Sequence, residues 1–378
     1  MRITDIETLI LRLPETVDAG DSSQDLLIVR VLTDTGLVGL GEADTSPEVG
    51  RAVIDAPLSH EVCRGLRGIV VGRDPFDRGA LWHEMYRDTM FYGRGGVVAQ
   101  AISAVDLALW DLIGKATGLP AYQLLGGAVR PAVRAYASVL MPADPDEAEA
   151  LTSRLVADGF GAIKLGWGGL GQDLKTDQAL VEAALRGAST GVGTGAPPAD
   201  IMIDTASHTW RHDFRYVERL ARILAELGVF WLEDPFAPDD YASYARLRVP
   251  GLRIAAGEEE CTPAGFDRLI ATGGIDVVQP DPSRAAGLTG CVRVAERADS
   301  LGIALAPHAW SSPLVRAAAL HLCAAMPNAL MLEFSRNPSP FEQVFDTGME
   351  RHGGYVAPVN RPGLGVELDL EAAREFIV

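Results

Sequence analysis

Three acidic residues, Asp204, Glu233 and Glu258, each close a short apolar run: Ile201–Asp204, Phe230–Glu233 and Ile254–Glu258. An apolar run that ends in a carboxylate is the pattern of a buried parallel strand delivering one oxygen ligand at its C-terminal edge. The acids stand 29 and 25 residues apart, close to the length of a strand, loop, helix and return in a βα unit. Neighbouring strands of one barrel would then bring three carboxylates to one point. A single acid at a strand end is often only a solvated loop residue, but regular spacing over three consecutive strands favours a shared hard-cation site. Oxygen-only ligation suits Mg²⁺, which takes octahedral oxygen and keeps positions open for water or substrate.

Ahead of the first carboxylate, Gly159–Gly168 reads as a strand with Lys164 near its end. Side chains alternate along a strand, so Ala162, Lys164 and Gly166 share one face. If that face is the barrel interior, Lys164 points at the cation. A lysine is rarely buried without a partner, which favours a functional role over mere neutralisation of the acids. Three later strand ends also carry polar residues: Asp281 in Gln279–Arg284, His308 in Ala306–Ser311, and Glu333 in Met331–Ser335. His308 suits a general acid or base, with Asp281 bonding its ring and fixing the tautomer. Glu333 is placed to share a hydrogen bond with a developing oxyanion. His208, four residues past Asp204, is within reach of the same cavity, whereas His60, His83, His212, His321 and His352 read as structural or exposed.

The elements that position these residues follow from periodicity. Alternating runs predict strands at Ile3–Leu13, Leu26–Thr33 and Val38–Glu42, the last two joined by a turn at Asp34–Gly36 in a hairpin. Apolar residues from Val98 to Ile113 recur at helical spacing and predict a helix between Gly95 and Gly118. From about Val133, strands alternate with amphipathic helices. The candidate strands are Val133–Val139, Ala162–Gly166, Ile201–Asp204, Val229–Glu233, Arg253–Gly257, Asp276–Gln279, Ile303–Ala306 and Leu330–Glu333. Eight such strands favour a closed α/β barrel over an open sheet. The organisation expected is an α+β capping domain over 1–127, completed by a tail of about 354–378, on a barrel over 128–353. The glycine-rich run Gly187–Ala199 lacks the Lys-Ser/Thr of a phosphate loop and reads as a plain loop. Leu370–Val378 reads as a short helix, and the polar segment Thr16–Asp25 as a candidate lid over the site.

Bulk properties bound the function. A formal net charge of −18 without a Lys/Arg cluster argues against nucleic acid. It leaves room for a small anionic substrate, because a bound cation and a local lysine reverse the field inside a cleft. With 48% hydrophobic and 22% charged residues, the composition is that of a folded globular protein. No uninterrupted apolar run reaches the roughly 18 residues of a membrane span, and the first residues read as a strand, so a cytoplasmic protein without membrane contact is expected. Cys63, Cys261, Cys291 and Cys323 are far apart and read as free thiols.

Over nearly its whole length the chain resembles the enolase superfamily, close to its mandelate racemase-type subgroup. The resemblance runs through Gly41–Glu42, Ala104–Asp111, Leu124–Gly127 and the barrel strand ends. It implies a modified TIM-type (β/α)7β barrel under an α+β cap, Mg²⁺ held by Asp204, Glu233 and Glu258, and a His308–Asp281 acid/base dyad. It further implies that Glu333 is the carboxylic acid that hydrogen-bonds the enolate, and that the protein is a homo-oligomer acting on a small carboxylate. A proton alpha to a carboxylate is too weakly acidic for an unaided side chain, so a cation, a lysine and a protonated Glu must stabilise the charge as it forms.

Two departures bear on the reaction. The subgroup has Lys-x-Lys where this chain has only Lys164. One alignment makes Lys164 the carboxylate-binding lysine and puts Gly166 in the place of the base; the other makes Lys164 the base. Ala206 stands where many relatives carry a polar residue and some dehydratases a histidine. With Lys164 on the carboxylate, His308 alone would remove the alpha proton and return it to a leaving hydroxyl, giving dehydration of a sugar acid to a 2-keto-3-deoxy acid, the favoured reading. With Lys164 as base, a racemase, epimerase or cycloisomerase is the alternative. A non-catalytic metal- or anion-binding barrel is the reading from another class, and retention of His308, Asp281 and Glu333 argues against it. Tyr92, Arg94 and Thr16–Asp25 are candidates for contacts with distal hydroxyls.

Overall fold

The computed structural model describes residues 1–15, 24–190 and 197–378. Strands β1 (Ile3–Arg12), β2 (Asp25–Thr33) and β3 (Val38–Ala43) form an antiparallel sheet in that order. Helix Val97–Thr117 packs on it and ends at Gly118, whose φ of 72° is the left-handed cap that glycine adopts freely. The approach is very close. A Cβ at Gly39 or Gly41 would lie 2.1 or 1.9 Å from the carbonyl oxygens of Ala108 and Ala104. By length and apolar content this helix would suit a membrane span, unlike the expectation from uninterrupted runs. It is instead the buried core helix of this unit, with Asp106 and Asp111 on it.

Eight parallel strands among the described residues build the barrel: β4 (Val133–Leu140), β5 (Ala162–Gly166), β6 (Asp200–Asp204), β7 (Trp231–Glu233), β8 (Arg253–Ala256), β9 (Val277–Val278), β10 (Ala304–Leu305) and β11 (Leu332–Ser335). β11 pairs with β4, and a bridge between Leu305 and Ala329 closes the ring. Seven crossovers carry helices, and the eighth strand leads instead into a short 3₁₀ turn at Pro340–Val344, which is a (β/α)7β arrangement. One inward residue per strand fills the barrel floor: Tyr136, Ala162, Met202, Trp231, Ala255, Val277, Ala306 and Met331.

Several boundaries differ from the sequence expectation. The strands before Gln279 and Ala306 are two residues each, although the Gln279 and Ala306 N–H groups still donate to Ala256 and Val278 on the neighbouring strands. Only Leu370–Ala373 of the C-terminal segment is helical. Its last residues join the sheet instead, with the Arg12 N–H donating to the Phe376 carbonyl (2.8 Å) and the Val378 N–H to that of Ile10 (3.1 Å). The helix before β6 runs on to Thr190, so the expected loop starts later than Gly187. Residues 191–196 of that loop, and 16–23 of the expected lid, lie outside the described residues.

Candidate active site

Strand periodicity places the chemistry directly above the barrel floor. Two residues beyond each floor position come Ser138, Lys164, Asp204, Glu233, Gly257, Gln279, His308 and Glu333, all on the inward face. At β8 the repeat lands on Gly257, whose φ of 129° turns the backbone so that Glu258 reaches inward instead. Ligand oxygens of Asp204, Glu233 and Glu258 lie within 4.8 Å of one another, and all three residues are buried. The Asp204 Oδ1 accepts from the Ala206 N–H (3.1 Å), and Glu233 Oε2 from the Trp231 indole (2.9 Å).

Lys164 Nζ donates to Glu233 Oε1 at 2.6 Å and lies 3.0 Å from Glu333 Oε1 and 3.6 Å from Asp204 Oδ2. Burial opposes its charge, but Glu233 and Glu333 outweigh that and hold its pKa well above the ordinary lysine value. His308 Nδ1 is 2.6 Å from Asp281 Oδ2, which also marks Nδ1 as the protonated nitrogen. Asp281 Oδ1 in turn accepts from the Ser283 N–H (2.6 Å) and hydroxyl (2.5 Å). The other ring nitrogen, Nε2, faces Glu258 Oε2 (3.5 Å) and Glu333 Oε2 (3.9 Å). Burial opposes the imidazolium, yet Glu258, Glu333 and Asp281 raise its pKa to about 10.

Glu333 departs from the expected protonated acid. Burial favours the neutral form, but Lys164 and His308 lower its pKa to about 2, and the Ala309 N–H donates to it at 2.7 Å.

Lys164, Asp204, Glu258 and His308 line one cleft, with Glu233, Asp281 and Glu333 buried behind them. The other expected contacts sit elsewhere. His208 is 3.0 Å from the Leu170 carbonyl and off the cleft lining. Tyr92 donates to the Arg64 carbonyl (2.9 Å), and Arg94 borders a separate depression beside Glu259 and Glu260.

Sequence reasoning gave no role to Arg284, Trp167 or Trp310, which also line the cleft. Arg284 donates through Nε and Nη2 to Asp44 Oδ2 (2.9 and 2.6 Å) and through Nη1 to the Glu258 carbonyl (3.3 Å). It therefore links the end of β3 to the backbone of Glu258, with Nη1 also 4.0 Å from the Glu258 carboxylate. The available signal was an arginine three residues after Asp281 and a tryptophan between two glycines at a strand end.

Comparison with known proteins agrees with this geometry. Residues 11–126 match the mandelate racemase/muconate lactonizing enzyme N-terminal domain, and 146–373 match the enolase C-terminal domain-like family. The chain belongs to the mandelate racemase/muconate lactonizing enzyme family of the enolase superfamily. Among its relatives, D-galactonate dehydratase of Pectobacterium atrosepticum is 33% identical, over 92% of this chain and 90% of that protein. D-galactarolactone cycloisomerase of Agrobacterium fabrum is 30% identical over 100% and 99%. A racemase from Streptomyces coelicolor A3(2), solved with bound magnesium, superposes with a TM-score of 0.84 at 28% identity, each chain covered in full.

The residues fit the divalent cation that this family membership implies. Asp204, Glu233, Glu258 and Glu333 are all buried, and Lys164 pairs with three of them, Asp204, Glu233 and Glu333. Glu258 Oε2 has no hydrogen-bond partner. Burial, with no nearby cation sufficient to offset it, raises the Glu258 pKa to about 8, and burial together with Glu233 raises that of Asp204 well above the usual range. A hard cation among oxygens of this kind satisfies both the excess negative charge and the unpartnered acceptor.

Proposed function

We propose that this enzyme removes the proton alpha to the carboxylate of a sugar acid and expels the oxygen on the beta carbon, giving a 2-keto-3-deoxy acid. In this reading Asp204, Glu233 and Glu258 hold Mg²⁺. When bound, the ion supplies positive charge to the substrate carboxylate as the alpha proton leaves, and offsets the Glu258 charge that favours the imidazolium of His308. Lys164 adds a fixed positive charge beside the same carboxylate. His308, oriented by Asp281, takes the alpha proton at Nε2. The Cα–H and Cβ–O bonds break, the electron pair forms the carbon–carbon double bond of an enol, and the enol becomes the ketone. His308 then returns its proton to the departing oxygen.

The observation that carries this reading is the distribution of acid/base groups. Among the described residues lining the cleft, His308 is the one imidazole, and Lys164 is held as a cation by Glu233 and Glu333. Gly166, where a second base would stand, has no side chain. One proton carrier on one face suits an elimination, whereas racemisation needs carriers on both faces.

With water as the leaving group, the reaction is dehydration. A second reading is favoured by Ala206, buried with a methyl where some dehydratases place a histidine. In it the departing oxygen belongs to a ring, stays tethered, and the reaction is a cycloisomerisation. The test is a screen of the Mg²⁺-loaded enzyme against aldonic acids, aldaric acids and their lactones. A 2-keto-3-deoxy product is expected from at least one. An interconversion of epimers without such a product would contradict the elimination.

A further inference from the structure

Trp167 stands at the end of β5, between Gly166 and Gly168, with a φ of 53°. The left-handed region is a genuine outlier for a bulky side chain, since its Cβ crowds the following carbonyl. The surrounding frame imposes it. A Cβ at Gly166 would lie 2.8 Å from Asp204 Oδ2, and one at Gly168 would lie 1.9 Å from the Met141 carbonyl oxygen. Only the middle residue of the triplet has room for a side chain. Its backbone is fixed on both sides, the Trp167 N–H donating to the Asp204 carbonyl (3.1 Å) and the Trp167 carbonyl accepting from the Leu170 N–H (3.0 Å). A glycine or asparagine would occupy this position with less strain. The chain instead places an indole there, half-buried and lining the cleft, and strain retained at a site points to a use for the side chain.

The cleft has two characters. Lys164, Asp204, Glu258, Glu259, Arg284 and His308 give its lining charge, while Val139 and Leu140 of β4, Trp167 and Trp310 give it apolar surface. A substrate carboxylate drawn to the charged groups leaves the rest of the molecule to meet the apolar ones. An extended polyol would press hydroxyls onto indole and leucine, where they lose water without gaining partners. Closing a 1,4-lactone removes one free hydroxyl and one carboxylate charge and gathers the carbons into a compact ring, which sheds less water against an aromatic surface than the open chain does.

Resting on the elimination reading above, we propose that Trp167 is a specificity-determining residue that packs against the ring of a ring-form sugar acid, a lactone or anhydro-sugar acid, in preference to the open-chain acid of the same carbon skeleton. The tethered leaving oxygen is then the ring oxygen.

The test uses the Mg²⁺-loaded His308→Asn variant, so that ligands persist, and calorimetry with an aldaric acid 1,4-lactone and its open-chain aldarate. The lactone is expected to bind about tenfold tighter, the scale of one apolar contact surface in a pocket. Adding Trp167→Ala should remove that preference by weakening the lactone, with the aldarate changed less than about twofold, while Trp167→Phe keeps most of it. Mg²⁺ affinity should be the same in all variants, which shows that the carboxylate site is intact. Equal weakening of both ligands, tighter binding of the aldarate, or binding of neither would overturn the assignment. A lactone preference that depends on Trp167, in a wild-type enzyme that forms no 2-keto-3-deoxy acid, would uphold it and refute the elimination reading.

Discussion

Gly166 decides two things at once. In the proposed elimination it leaves the place of a second base empty, and it makes space for the Asp204 carboxylate, which lies 2.8 Å from where a Cβ would be. Gly166→Ala should therefore displace Asp204 and lower divalent-cation affinity by about tenfold to a hundredfold, the usual effect of disturbing a group that orients a ligand. Calorimetric titration with Mg²⁺ checks this, and unchanged affinity would show that Asp204 is not a ligand. The carboxylates were readable from sequence because apolar runs and a period of two fix which residues point inward. The charge on Glu333 was not, because it depends on how closely Lys164 and His308 approach from strands far apart in the chain.

Elements meet through buried polar clasps. Helix Pro313–Ala325 holds the tail through His321, which is fully buried and 3.1 Å from the Leu364 carbonyl through Nε2, while Nδ1 has no partner. Burial lowers its pKa to about 4 from an ordinary 6.5, so the folded state keeps the ring neutral while the unfolded chain takes up the proton. Its contribution to stability is complete above the unfolded value and is lost as pH falls from about 6.5 to about 4, by about 3 kcal/mol. Unfolding midpoints in denaturant across this window should thus fall more steeply for the wild type than for His321→Gln. Equal slopes would contradict the assignment. Strand order was legible from periodicity, and the end of helix Val97–Thr117 from its glycine cap, Gly118. The C-terminal turn was not, because its sequence is compatible with a helix and the competing partner is β1, at the other end of the chain.

At the level of the whole molecule, the N-terminal unit and the barrel share the site. Arg284 and Asp44, 240 positions apart, and Ser312 and Glu42, 270 apart, bond across their junction. Burial keeps Glu42 largely protonated, with a pKa of about 8, despite the Ser312 hydroxyl. Such pairs leave no periodic trace, so sequence could indicate that a cap exists but not how it grips the barrel. The family and the cation-ligand pattern were legible for the opposite reason, since each rests on local motifs repeated at strand ends. The central claim is that His308 removes a proton alpha to a carboxylate. Proton NMR in D₂O, with the Mg²⁺-loaded enzyme and the acid or lactone found to react, tests it most directly. Loss of the alpha proton with formation of a 2-keto-3-deoxy acid is expected, slowed by about 10³-fold in His308→Asn; a His308→Asn variant that removes the alpha proton at the wild-type rate would contradict the account.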